Sequence, residues 1–153
     1  MDDSLLLVEL HDQLKNACEF YVNDLEALSD EALNSSPGGT ARVPFDFTYE
    51  VVVVNHRVAT RLTGVTPEPW PFEGWAVAPN DFRSKAKAVA DLKASVEAVK
   101  EAAGANVGRM VPTTEGEKSA YSLAAFAAMH MMYHDAQLNY IQSLGGDGEM
   151  HWM

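Results

Sequence analysis

Two histidines four residues apart, His130 and His134, are the residues of this chain best placed to do chemistry. They stand in the run His130-Met-Met-Tyr-His134, inside a stretch from Ser119 to Leu144 that reads as helix. On a helix of about 3.6 residues per turn, positions i and i+4 lie one above the other on a single face. Two neutral imidazoles so placed can reach one divalent cation with a ring nitrogen each. A third ligand has to come from elsewhere, and the best candidate is His56, in a second core-centred helix. The pair by itself is unspecific. No His-Glu-x-x-His, no Cys-x-x-Cys and no Glu-x-x-His of the di-iron bundles accompanies it.

The elements that must position these residues follow from apolar spacing. Leu7, His11, Leu14, Cys18, Tyr21 and Leu25 form one stripe of a first helix over about residues 4–28, with Asp12, Lys15, Glu19 and Asp24 mostly on its other faces. His11, at the stripe's edge, is either a fourth ligand or a histidine bonded to a neighbour, and Cys18 is a small core residue. Ser29-Asp-Glu starts a short helical turn, and Asn34-Ser-Ser-Pro-Gly-Gly is a loop. From Asp46, a plausible N-cap, to Gly64 two signals compete. Tyr49-Glu-Val-Val-Val-Val is β-branched, yet Val51, Val54, Val58 and Leu62 keep helical spacing, and about sixteen residues is too long for an ordinary strand. The reading is a second helix, with His56 near its end.

Pro67, Pro69, Pro71 and Pro79 then interleave with Trp70, Phe72 and Trp75 in an ordered surface loop, whose rings either wall a pocket or plug the core. A third helix is expected over Asp81 to Ala103, and a polar connection from Val107 to Gly116. The fourth helix runs through Leu123, Phe126, His130, His134, Gln137 and Ile141. Both imidazoles are thus expected on its inward stripe, where unsatisfied rings would be costly and one cation would satisfy both.

Composition narrows the classes. At 153 residues the chain fits one domain, 1–153, with no apolar run near the ~20 residues that span a bilayer. Met-Asp-Asp-Ser carries no basic n-region, and the single cysteine allows no internal disulfide, so a cytoplasmic home is expected. A formal charge of −11 argues against nucleic acid, which requires clustered Lys and Arg.

One histidine in the second helix and two at i, i+4 in the fourth resemble the DinB/YfiT-like superfamily of metal-dependent proteins. The likeness covers nearly the whole chain. It is strongest over His130-Met-Met-Tyr-His134-Asp-Ala-Gln137-Leu-Asn-Tyr140, followed by Gly146-Asp147 and His151-Trp152, and is similar to the family's His-x-x-x-His-x-x-Gln signature. Ala136 departs from it, where many relatives have glycine. The resemblance implies an all-α fold, a four-helix bundle with long crossover connections, often a homodimer. It also implies a three-histidine site for Ni, Zn, Mn or Fe with open positions, carried over to His56, His130 and His134. Characterised relatives include transferases and isomerases that use bacillithiol or mycothiol. The expectation is therefore a metal-dependent thiol transferase acting on a small-molecule electrophile, with a low-molecular-weight thiol as co-substrate. Alternatives are a metal-dependent hydrolase and a non-catalytic bundle with a structural metal. Gln137 and Tyr133 are candidates for orienting a ligand or handling protons, with Tyr140 and Glu50 behind them. His151 and Trp152 either fold back over the site mouth or fray.

Overall fold

The computed structural model describes residues 3–153. They form α1 (Asp3–Ala27), α2 (Asp30–Leu33), α3 (Pro44–Leu62), α4 (Lys85–Gly104), a hairpin of β1 (Met110–Thr113) with β2 (Gly116–Ser119), and α5 (Ala120–Leu144). The chain is mostly helical, and no helix among the described residues is long and apolar enough to cross a membrane.

The valine-rich segment is helix, as its spacing demands. Pro44 occupies the first turn of α3, where its missing N–H costs nothing. Asp46 is not the N-cap. Val43 holds that position without a side-chain bond, and the Asp46 carboxylate instead accepts from Arg83 at 2.6 Å and the Ala78 N–H at 2.9 Å. It thereby ties the proline-rich loop to the start of the helix. Gly64 ends α3 in the left-handed region at φ 84°, with its N–H on the Arg61 carbonyl at 2.8 Å. Ser84 and Ser119 cap α4 and α5 through their hydroxyls. α4 begins at Lys85 rather than Asp81, because Asn80–Phe82 is a separate 3-10 turn.

Four long helices surround one core. α1 packs on α5 and α4, and α3 packs on α4 and α5. Directions follow from the bonds that cross between them. His11 meets the Lys100 carbonyl and Lys85 reaches the Glu26 carbonyl, so α1 and α4 are antiparallel. Arg83 meets Asp46 and Asn55 meets Ser95, so α3 and α4 are parallel. Gln13 meets Tyr121 and Asn139 meets Asp24, so α1 and α5 are parallel. Parallel neighbours that are consecutive in sequence need a long return path, and residues 63–84 supply it.

That return path is held by rings and carbonyls. Arg57 donates to the Glu68 carbonyl at 2.5 Å and lies over Trp70, whose indole donates to the Gly74 carbonyl at 3.0 Å. Phe72 packs between Trp70 and Tyr49, and Tyr49 on Phe82. Trp75 stands apart from this chain of rings and is largely exposed.

The inward face of α5 differs from the expected stripe. Its buried line is Ala120, Ala124, Ala127, Met131, His134, Leu138 and Gln142, while Phe126 faces outward. Alanines let helices approach closely but carry too little hydrophobicity to mark a face in sequence. On α1, Asp24 is fully buried rather than on a solvated face.

Candidate metal centre

α3 and α5 bring three groups together: Glu50, His130 and His134. One ligand atom from each lies within 4.8 Å of the others. His134 is 2% exposed and His130 15%. The Glu50 Oε1 to Nε2 separations are 3.6 Å for His134 and 3.8 Å for His130. Both are too long for hydrogen bonds. They are close to the ~3.4 Å that separates two ligands about 2.1 Å from one tetrahedral cation.

His56 is not the third group. It is exposed on α3, and its backbone carbonyl accepts the Thr60 hydroxyl at 2.9 Å. Six residues separate it from Glu50, about 600° of helical rotation, so the two point roughly 120° apart. The core claims the face of Phe47, Val51, Val58 and Leu62, and Glu50 lies on that face. Residue type favoured His56; the phase of the helix selects Glu50. A carboxylate placed between Phe47 and Val51 was the available signal, since an acid there needs partners.

The imidazoles are clamped. His134 stacks on Phe47 with ring centroids 5.2 Å apart, and His130 on Phe126 at 5.7 Å. The two imidazoles meet edge to face at 4.7 Å. The Gln137 carbonyl oxygen lies 2.8 Å from His134 Nδ1. With the amide oxygen at that end Nδ1 donates, and in the neutral ring the Nε2 lone pair then faces Glu50. Gln137 is therefore a positioning residue. The His130 Nδ1 is buried without a partner among the described residues.

Glu50 is ionised. Burial pushes its carboxyl up, but the two imidazoles and the Arg42 guanidinium outweigh burial and hold it well below the usual carboxylate range. Arg42 Nη2 donates to Glu50 Oε2 at 2.7 Å. Oε1 is left with the His130 and His134 Nε2 atoms as its polar neighbours. A proton on either Nε2 supports the Glu50 charge, and once Nε2 is bare a cation between the three atoms would take the proton's place. The donor set of one carboxylate and two imidazoles suits a divalent transition metal.

These groups line one wall of a cavity of about 920 Å³. Tyr133, Tyr140 and Leu144 of α5, Trp75 of the return loop and Arg42 of the 34–43 loop form much of the rest. Trp75 thus walls the pocket, while Phe72 and Trp70 pack on α3. His11 meets the Lys100 carbonyl at 3.2 Å, and His151 meets Asp147 at 2.9 Å. Trp152 packs edge-on against Phe20 of α1, 5.4 Å away. The C-terminal segment therefore folds onto α1, and neither His151 nor Trp152 lines the cavity. Cys18 is buried, and burial pushes its thiol up to about 11.

Compared with known proteins, the chain matches no family model, no curated protein and no solved structure.

Proposed function

We propose that the chain is a divalent-metal-dependent enzyme on a four-helix bundle of the DinB/YfiT-like kind, transferring a low-molecular-weight thiol to a small electrophile. The observation that carries the reading is the convergence of Glu50, His130 and His134 on the wall of a cavity large enough for a small molecule. A structural metal is enclosed by four protein ligands, whereas three ligands beside a cavity leave room for an exchangeable partner. The closed ring of packed helices, two running each way, supports the bundle. The bond between Gln137 and His134 gives the glutamine of the His-x-x-x-His-x-x-Gln signature a physical role. Glu50 takes the place in the ligand set that the resemblance assigned to His56.

Glu50, His130 and His134 would hold the cation, and Ni, Zn, Mn or Fe each accept this donor set. A bound divalent cation lowers the pKa of a thiol or a water that shares its site. The chain's own residues supply the rest. Gln137 fixes the His134 tautomer, Arg42 keeps Glu50 ionised and in place, and Trp75, Tyr140 and Leu144 offer apolar walls. In the transfer the thiol yields its proton to the medium and its sulfur bonds to the electrophilic carbon, while a halide departs with its electron pair or an epoxide's ring oxygen keeps the pair and takes up a proton. No oxidant or reductant is required. Tyr133, on the cavity wall beside His134, is the candidate for guiding that proton.

The test is thiol consumption by metal-loaded protein with bacillithiol or mycothiol and a panel of alkyl halides and epoxides. Turnover that Glu50→Gln lowers at least about 100-fold supports the reading. Ester hydrolysis without any thiol would point to the hydrolase instead, and metal binding with neither activity to a non-catalytic protein.

Outside the cavity, the exposed flank of α5 carries Phe126, Met129 and Met132. It is an uncharged face on a chain of net charge −11, and we propose it as the contact of a homodimer.

A further inference from the structure

We propose that Arg42 anchors the ligand of the cavity by an anionic group, and that the ligand is a small carboxylate with a flat apolar body. The inference rests on reading this cavity as the substrate site.

The charge lining the cavity is sparse. Besides the Glu50, His130 and His134 group, Arg42 is its only charged side chain. Glu50 is already engaged by Arg42, faces the imidazoles and is only 9% exposed. A guanidinium has five N–H donors in a flat fork. Both bonds that Arg42 makes run through Nη2, to Glu50 at 2.7 Å and to the Ala76 carbonyl at 3.5 Å. Its Nε is buried and has no partner among the described residues. The hydrogen bonding of this cation is therefore incomplete in the chain alone: Nη1 has no partner among the described residues and, unlike Nε, is not buried. An oxygen of a ligand carboxylate can accept from it.

The neighbours of Arg42 select the rest of the ligand. The Arg42 Cζ lies over the Trp75 ring, 4.7 Å from its centroid. This contact holds the guanidinium in place and leaves Nη1 to meet an oxygen. Trp75, Tyr133 and Tyr140 present largely exposed rings to the cavity. Rings of this kind suit an aromatic or flat aliphatic body and offer few polar groups to a sugar or a peptide. The remainder of the protein is strongly acidic and repels anions at long range. A carboxylate held here therefore needs a cation at short range, and Arg42 supplies it.

The experiment is calorimetric binding of 2-naphthoate and of its neutral counterpart, 2-naphthalenemethanol, to wild type, Arg42→Gln and Arg42→Lys. Each protein is titrated metal-free and zinc-loaded, with zinc content measured separately. In the metal-free wild type the carboxylate should bind about tenfold tighter than the alcohol or better. Arg42→Gln should bring that ratio to about one chiefly through loss of carboxylate affinity, and Arg42→Lys should fall between. Equal affinities in the wild type would overturn the proposal. So would a preference that survives Arg42→Gln, or that exists only with zinc. Loss of both ligands in Arg42→Gln would equally overturn it, because Arg42 would then build the cavity rather than read its ligand. An Arg42-dependent preference in a protein that takes up no zinc would uphold the anchor and defeat the metal reading alone.

Discussion

At the scale of the residue, the site depends on proton placement more than on the count of ligands. His134 is useful to a cation only while Nδ1 holds the proton, and the Gln137 carbonyl sets that tautomer. Gln137→Ala should therefore weaken zinc affinity about 10- to 100-fold, as read by competition with a chelating dye, with the fold intact by circular dichroism. Unchanged affinity would mean the imidazole is oriented by Phe47 and Tyr133 alone. Cys18 tests the opposite kind of environment. With its thiol near 11 and burial as the main cause, only about 0.1% is thiolate at pH 8. A disulfide reagent should modify it at least about 100-fold more slowly in the native chain than in urea. Equal rates would place the thiol at the surface. His130, His134 and Gln137 were legible in the sequence because one helix carries all three. Glu50 was not, since choosing between positions 50 and 56 requires the phase of α3 against two other helices.

At the scale of the element, the four long helices could be read from apolar spacing, and even the valine run yielded to its length. The hairpin could not. Met110–Thr113 and Gly116–Ser119 are four-residue strands, one of them interrupted by Pro112, and such pieces carry almost no periodic signal. The buried acids were also hidden, because they pair between helices distant in sequence. Asp24 of α1 and Asp135 of α5 interact in the core, where Asn139 donates to Asp24 at 3.5 Å and His151 adds a favourable field. Burial first, and then the Asp24 charge, raise Asp135 from 3.8 to about 7, and burial also raises Asp24. Between those values the folded chain keeps a proton that the unfolded chain releases. Stability from this pair is therefore present below about pH 4 and is lost as pH rises toward 7. Wild type should lose on the order of a few kcal/mol in urea unfolding between pH 5 and pH 8, and Asp24→Asn distinctly less. An equal loss in both would show that the pair is not the source.

At the scale of the whole molecule, α3 and α5 supply the cavity wall that carries Glu50, His130 and His134, and loops supply its mouth. The loops are where sequence was least informative. Nothing in residues 34–43 or 63–84 foretells that Arg42 and Trp75 meet, because the return path brings together positions 33 apart by tertiary packing. The proposed dimer belongs to this scale as well. Sedimentation should give twice the chain mass at micromolar concentration, and Met129→Glu, which sets two like charges across the contact, should return it to monomer. A monomer at all concentrations would remove the dimer and leave the site untouched. The central claim is that Glu50, His130 and His134 hold a divalent metal. Its most direct test is metal content per chain by elemental analysis, after dialysis against Zn, Ni or Mn, for wild type and for Glu50→Gln, His134→Ala and His56→Ala. The account predicts about one equivalent in wild type and His56→Ala and little in the other two. No metal in wild type, or metal that depends on His56 and not on Glu50, would contradict it.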